Sequence, residues 1–402
     1  MRSALRNRAV SRLWLGQALS TIGDQIYGVG LTWLAVGLLG PDTGLLNAGE
    51  SASLMILSFV GGHWADRWKP LKTMVRVDLL RAAIALLPVA VYLFMPVPLW
   101  VLVLVALSLS GLGAFFDPAL QSMLPHFARE PEELRAANGL MATTFRMARM
   151  IGPTAVGLLS SVVPIIHFFT LDAVSFLASA WAVHSIGASV PAPAESGASH
   201  SSFLQSAMAA FHTIRKRSDM PFLFWIKAIT GSTWTLAFAL GIALLVHEMA
   251  GDDARAFGFA MASYGAGNFA GALYFGNHPR PDSLRLMFTG YCMLGVGFVL
   301  VGCAPGIHWL MIAAAYTGFT GPMNDLAFSD LLQSRFPVHE LPRVYRLRTA
   351  VETVATLVVT GISPLIFRGL GVRGTVVACG LAWIGCGASG FARLSRLVKA
   401  GN

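Results

Sequence analysis

Apolar runs, each about as long as a membrane-spanning helix, follow one another along nearly the whole chain with short polar breaks between them. A spanning helix needs about 20 predominantly apolar residues. Twelve segments meet that length: 13–39, 46–65, 74–95, 98–117, 139–162, 165–187, 222–247, 256–276, 284–304, 308–329, 347–367 and 371–391. The pattern changes once, between the sixth and seventh. Ser189 to Ser202, SVPAPAESGASHSS, has the Pro/Ser/Gly/Ala content of a flexible linker. An amphipathic stretch, Phe203 to Ile214, follows and ends in Arg215-Lys216-Arg217, as a cytosolic surface helix would. The expected organisation is an N-terminal half over 1–187, a linker over 188–221 and a C-terminal half over 222–402.

Composition agrees with the pattern. Of the 402 residues, 55% are hydrophobic and 12% charged, against about 25% charged in soluble proteins. Such a chain is not a soluble domain; the expectation is an all-α polytopic membrane protein with 12 transmembrane helices in two six-helix halves. Net charge is +9, but no basic run is interleaved with stacking aromatics, which excludes nucleic acid as a partner. The bases instead follow the loops. With the N-terminus inside, 22 of the 29 Lys and Arg fall in cytosolic segments, 3 outside and 4 within spans. That asymmetry places both termini in the cytosol, in a multi-pass protein of the cytoplasmic membrane. The first apolar run continues to Leu39 without a small-residue cleavage site, so it reads as a span rather than a signal peptide. Cys292, Cys303, Cys379 and Cys386 have neither metal-ligand spacing nor a disulfide framework. No Walker loop, Gly-x-Ser-x-Gly elbow or His-Glu-x-x-His occurs, so no enzyme and no cofactor are expected.

A weak internal repeat supports two halves. Gly111-Leu112-Gly113-Ala114-Phe115-Phe116-Asp117 lies opposite Gly318-Phe319-Thr320-Gly321-Pro322-Met323-Asn324, and Glu133-Leu134 opposite Glu340-Leu341, all at an offset of 207. Between spans two and three stands GGHWADRWKPLK, residues 61–72.

This arrangement resembles the major facilitator superfamily of secondary transporters, whose signature in that loop reads Gly-x-x-x-Asp-Arg-x-Gly-Arg-Lys. Gly62, Asp66 and Arg67 match it; Lys69 replaces the second Gly, Pro70 the next base, and Lys72 follows two residues on. The resemblance implies a cytosolic latch between the halves, formed by Gly62, Asp66, Arg67, Lys72 and Asp117, that releases during alternating access. Arg67 or Lys72 is the expected partner of Asp117. The plainer role of these residues is to anchor a loop in the membrane interface. Phe115-Phe116-Asp117-Pro118-Ala119, Leu124-Pro125 and Glu133-Leu134-Arg135-Ala136-Ala137-Asn138 are similar to the branch that holds macrolide-type and siderophore exporters. Span five is similar to the family's antiporter signature at Gly139, Gly152, Pro153 and Gly157, with Ala148 and Val156 in place of two further glycines. It implies export; as a plain packing motif it would need only small residues. The Arg expected four residues before the span-four Gly is Leu107 here, so proton coupling through that Arg is not available.

Ionisable residues at bilayer depth are site candidates by default. Asp24 lies about 16 Å into span one at 1.5 Å per residue. Arg146 and Arg149 share one face of span five. Because the family fold lines its cavity with spans one and five, Asp24, Tyr27, Arg146 and Arg149 form the expected proton and substrate cluster, with Lys227 and Glu352 from the second half. Lys227 and Glu352 could instead snorkel to the interface. Asp78 and Arg81 read as a mutual pair on a peripheral span, and Asp172 similarly; Asp325 and Asp330 could face the cavity or its inner mouth. Tyr27, Trp33, Trp234, Tyr264 and Tyr316 could stack on a drug-like substrate or simply pack. The expected function is export of a small amphiphilic molecule by proton antiport, by a monomer with protons and membrane lipid as its other partners. Alternatives are a lipid or siderophore exporter on the same scaffold, or a non-transporting membrane receptor or accessory protein. Asp66→Asn, measured at normal expression, is expected to reduce transport; unimpaired transport would remove the latch.

Overall fold

In the computed structural model the described residues, 7–65, 70–128, 131–160, 162–187, 214–215, 219–277, 282–337 and 340–400, are helical with short turns and contain no strand. The helices are α1 (Arg8–Leu39), α2 (Thr43–Ala65), α3 (Pro70–Ala85), α4 (Leu87–Tyr92), α5 (Leu99–Phe127), α6 (Pro131–Ser160), α7 (His167–Gly187), α8 (Met220–Trp234), α9 (Ile242–Ala250), α10 (Ala254–Asn277), α11 (Ser283–Gly302), α12 (Ile307–Arg335) and α13 (Leu341–Ala400). A helix covers each of the twelve apolar segments. The third segment is split between α3 and α4, where Pro88 has no N–H to offer the carbonyl of Ile84. The seventh runs through α8, a π-helical stretch Thr235–Gly241 and α9. The last two are the arms of α13, separated at Gly371, whose φ of 68° is left-handed.

Among the described residues six stretches are long and apolar enough to cross a membrane by length and composition alone; two of them, Arg8–Ser58 and Leu347–Ser395, are 51 and 49 residues long, room for two crossings each. Outside these stretches lie α3, α6 and α12, which carry Asp78 and Arg81, Arg146 and Arg149, and Asp325 and Asp330. α5 and α12 are both 29 residues long, and their first and last residues are each displaced by 208 positions, close to the offset of the sequence repeat.

The chain forms two compact units, residues 1–38 with 49–199, and residues 39–48 with 200–402. The turn between α1 and α2 thus packs in the second unit. There Asp42 takes two hydrogen bonds, both 2.9 Å, from Arg368 Nη2, and Gly44 meets Thr360 and Ser363. In the first unit α3 packs on α5 and α7, over an apolar core that includes Val10, Leu13, Met74, Phe116, Met123 and Val183.

Polar side chains appear where helix ends need them. Asn7 Oδ1 accepts from the backbone of Ala9 and Val10 at 2.9 and 3.3 Å, capping α1, while its Nδ2 donates to the last carbonyl of α5, Phe127, at 2.8 Å. Asp253 and Asp282 cap α10 and α11 in the same way. Side-chain-free surfaces appear where helices meet. A Cβ at Gly271 would strike the Phe319 backbone of α12, so these two helices touch backbone to backbone, whereas Gly276, five residues on, faces open space. Gly271→Ala is expected to destabilise by about 1–3 kcal/mol, since neither backbone can yield. Gly276→Ala is expected to be neutral or slightly stabilising, because alanine favours helix by up to about 1 kcal/mol. Thermal unfolding of the two variants in detergent tests the contrast.

Candidate functional site

In the first unit Arg81 is the hub. Three turns into the α3 region, it sits three residues from Asp78, with Nη1 to Oδ1 at 4.0 Å. Its guanidinium is held between two rings, 5.2 Å from the centroid of Phe116 on α5 and 5.3 Å from that of Phe176 on α7. Gly113 on α5 makes the room: a Cβ there would come within 3.0 Å of Arg81 Nη2. From this position Arg81 acts electrostatically on four carboxylates from four helices: Asp24 of α1, Asp78, Asp117 of α5 and Asp172 of α7. Asp78 and Asp172 are fully buried, at 0% exposure; Asp24 and Asp117 are open.

Asp24 lies at the centre of the 32-residue α1. At 100° per residue it projects about 180° from Leu15 and the exposed apolar stripe that Leu15, Leu19 and Ile22 make. A charge opposite the apolar stripe is a charge turned away from lipid. α1 comes close enough to α7 because residue 23 is glycine: a Cβ there would lie 2.7 Å from Asp172 Oδ1. The hydroxyl of Ser175 donates to Asp172 Oδ1 at 3.3 Å, and Ser179, beside Asp78, takes a 3.1 Å bond from Gln17 Nε2. Both Asp78 oxygens, Asp172 Oδ2, Arg81 Nε and the Tyr27 hydroxyl make no hydrogen bond of good geometry among the described residues. Among the described residues four acids surround one base, which gives this site a capacity for protons or another cation.

In the second unit the charges balance. Lys227 Nζ of α8 lies 2.5 Å from Asp325 Oδ1 of α12. Arg348 of α13 approaches the same oxygen at 3.7 Å and binds Glu352 Oε1 through Nε at 2.9 Å. Both cations stand over the ring of Phe328, at 5.7 and 5.1 Å from its centroid.

Asp24 is central, but the arginine that acts on it among the described residues is Arg81; the side chains of Arg146 and Arg149 lie outside the described residues. Asp78 and Arg81 do form the expected pair, and α3 also packs against both α5 and α7, which brings their acids to Arg81. Tyr27 is buried edge-on against Phe169, centroids 5.4 Å apart, and does not line an open surface. Lys227 and Glu352 are each bound by the ion pairs above. Trp33 is buried, and Trp234 and Tyr264 pack on Phe238, with centroid distances of 4.7 and 4.0 Å.

Of the expected latch, Asp66 and Arg67 lie outside the described residues, as do the surroundings of Gly62. Lys72 is exposed at the start of α3. The described base acting on Asp117 is Arg81, and not Lys72. Of the span-five motif, Gly152 takes the side chain of Gln25, which a Cβ there would meet at 2.6 Å, Gly157 is buried, and Gly139 faces open space. The side chain of Pro153 lies outside the described residues. Two signals pointed to what was missed: the i, i+3 spacing of Asp78 and Arg81, and the i, i+4 spacing of Arg348 and Glu352.

Residues 13–360 match the Major Facilitator Superfamily. The chain is similar to the multidrug efflux pump Tap of Mycolicibacterium fortuitum, 25% identical over 339 residues that cover 80% of each chain. It is also similar to macrolide efflux protein A of Streptococcus pyogenes, 22% identical over 386 residues, 91% of this chain and 93% of that one. Among solved structures, a POT family transporter in complex with a thioalcohol-conjugated peptide superposes with a TM-score of 0.69 at 12% identity, covering 97% of this chain and 96% of that one. A bacterial homologue of the human lysosomal transporter Spinster, inward-facing and unoccupied, gives 0.65 at 14% identity over 96% of each chain. These structures share the fold.

Removing Arg81 leaves the buried Asp78 without its base, a loss of about 3–5 kcal/mol for a broken buried pair. Arg81→Met is expected to lower the unfolding temperature and the yield of folded protein. Arg81→Met combined with Asp78→Asn is expected to recover part of the loss, and a double-mutant cycle on thermal unfolding measures the coupling.

Proposed function

Because this chain belongs to the Major Facilitator Superfamily and is a multi-pass membrane transporter rather than an enzyme, we propose that it exports an amphiphilic small molecule from the cytosol by proton antiport and alternating access. The observation that carries this reading is Asp24. Its carboxylate is central in α1, open, turned away from the apolar stripe, and coupled to Arg81 and three further acids. A group so placed can take up a proton from one side and release it on the other as its access and its neighbours change. The efflux functions in the names of Tap and macrolide efflux protein A support the direction of transport and a drug-like substrate. In this reading both termini lie on the cytosolic side of the cytoplasmic membrane, and a single chain is the working unit.

The test is transport in inverted membrane vesicles, with a fluorescent lipophilic dye and a macrolide as probes. Uptake is expected to collapse with an uncoupler and to be lost in Asp24→Asn, which keeps the shape of the side chain and removes its proton. Undiminished gradient-driven uptake in the variant would exclude Asp24 as the coupling group.

A further inference from the structure

The charged cluster of the second unit has a geometry of its own. Lys227 and Arg348 both address one atom, Asp325 Oδ1. The side chains of the two cations are 8% and 20% exposed, while that of Asp325 is 62% exposed. Both cations also lie over the Phe328 ring, itself fully buried, so they are fixed by packing as well as by charge. Glu352 holds Arg348 at Nε, and Arg348 therefore keeps a partner when Asp325 leaves. The acid is the exchangeable member: it can rotate into water, and what it uncovers is a pair of converging cations from two helices. Carboxylates are matched to such a pair, because each oxygen accepts charge-assisted hydrogen bonds.

We propose that Lys227 and Arg348 form a recognition site for a carboxylate on the transported molecule, and that Asp325 occupies this site as an internal stand-in until the substrate replaces it. The exchange keeps both cations paired with a carboxylate throughout. Asp325, already 62% exposed, needs little further hydration to leave, and no cation is left bare. The inference rests on the reading of the chain as an exporter of amphiphiles and narrows the substrate class to amphiphilic acids.

The test uses full-length protein purified in detergent and a series of probes with one apolar body: naphthylacetate, naphthylethanol and naphthylethylamine. Dissociation constants are read from intrinsic tryptophan fluorescence. The wild type is expected to bind the acetate about tenfold or more tighter than the alcohol and the amine, the scale of one charge-assisted contact. Asp325→Asn, which weakens the stand-in without changing its shape, is expected to tighten acetate binding further. Lys227→Met is expected to abolish the preference. Where that variant does not fold, Lys227→Met with Asp325→Asn leaves no unpaired buried charge and is expected to bind the three probes alike. Failure to bind the acetate, equal affinities in the wild type, a preference for the amine, or weaker acetate binding by folded Asp325→Asn would each overturn the site. Flux of naphthylacetate in proteoliposomes separates the two readings. Charge-selective binding without flux would overturn the exporter and leave the site standing; flux without charge selectivity would overturn the site alone.

Discussion

Burying an ion among apolar helices costs several kcal/mol even after the surroundings relax, and in this chain that cost decides which side chains must meet. A protein with 12% charged residues over 402 positions has few ions, and those at bilayer depth are retained against a steady penalty. Arg81 illustrates the consequence. One guanidinium needs rings on two faces, a glycine to leave it room and acids from four helices around it. Each requirement constrains a neighbouring helix. Gly113 sets how closely α5 approaches, Gly23 sets how closely α1 passes α7, and Phe116 and Phe176 set the flanking walls. The packing of the first unit is in this sense organised around a charge, although nearly all of its buried surface is apolar.

The helices were readable in advance because apolar length and bilayer thickness are tied by geometry. Their ends were less so. α5 continues ten residues beyond the apolar run that ended at Asp117, through Pro118 and Pro125, and ends at Phe127. The charges themselves were also visible, and so was their depth. Pairing across helices was not. It depends on which faces α1, α3, α5 and α7 turn toward one another, and a continuous apolar pattern carries little rotational information. Asp24 was thus found without Arg81, and Lys227, Asp325 and Glu352 without Arg348 between them. Family resemblance drew attention to span five, whereas the base that α3 supplies stands outside every motif the resemblance covers.

The two clusters differ in a way that bears on mechanism. Among the described residues the first gathers four acids around one base, and the second sets Lys227 and Arg348 against Asp325 and Glu352. An acid-rich cluster suits the binding of cations that come and go, protons among them. A balanced cluster can exchange one carboxylate for another without a change in its charge. The repeat that relates α5 to α12 therefore preserves the helix and not its chemistry: Asp117 stands opposite Asn324, and the working acid of α12 is its neighbour Asp325.

Charge balance also bears on the driving force. Export of a monoanion in exchange for one proton moves two positive charges inward, because an anion leaving and a proton entering add. At an inside-negative potential of about 100 mV this contributes about 5 kcal/mol per cycle, at roughly 2.3 kcal/mol per charge. Exchange of a monocation for one proton moves no net charge and draws on the proton concentration difference alone. On the two proposals above, a proton site at Asp24 and a carboxylate site at Lys227 and Arg348, transport falls in the first case, with one partner bound in each unit and the membrane potential acting on both.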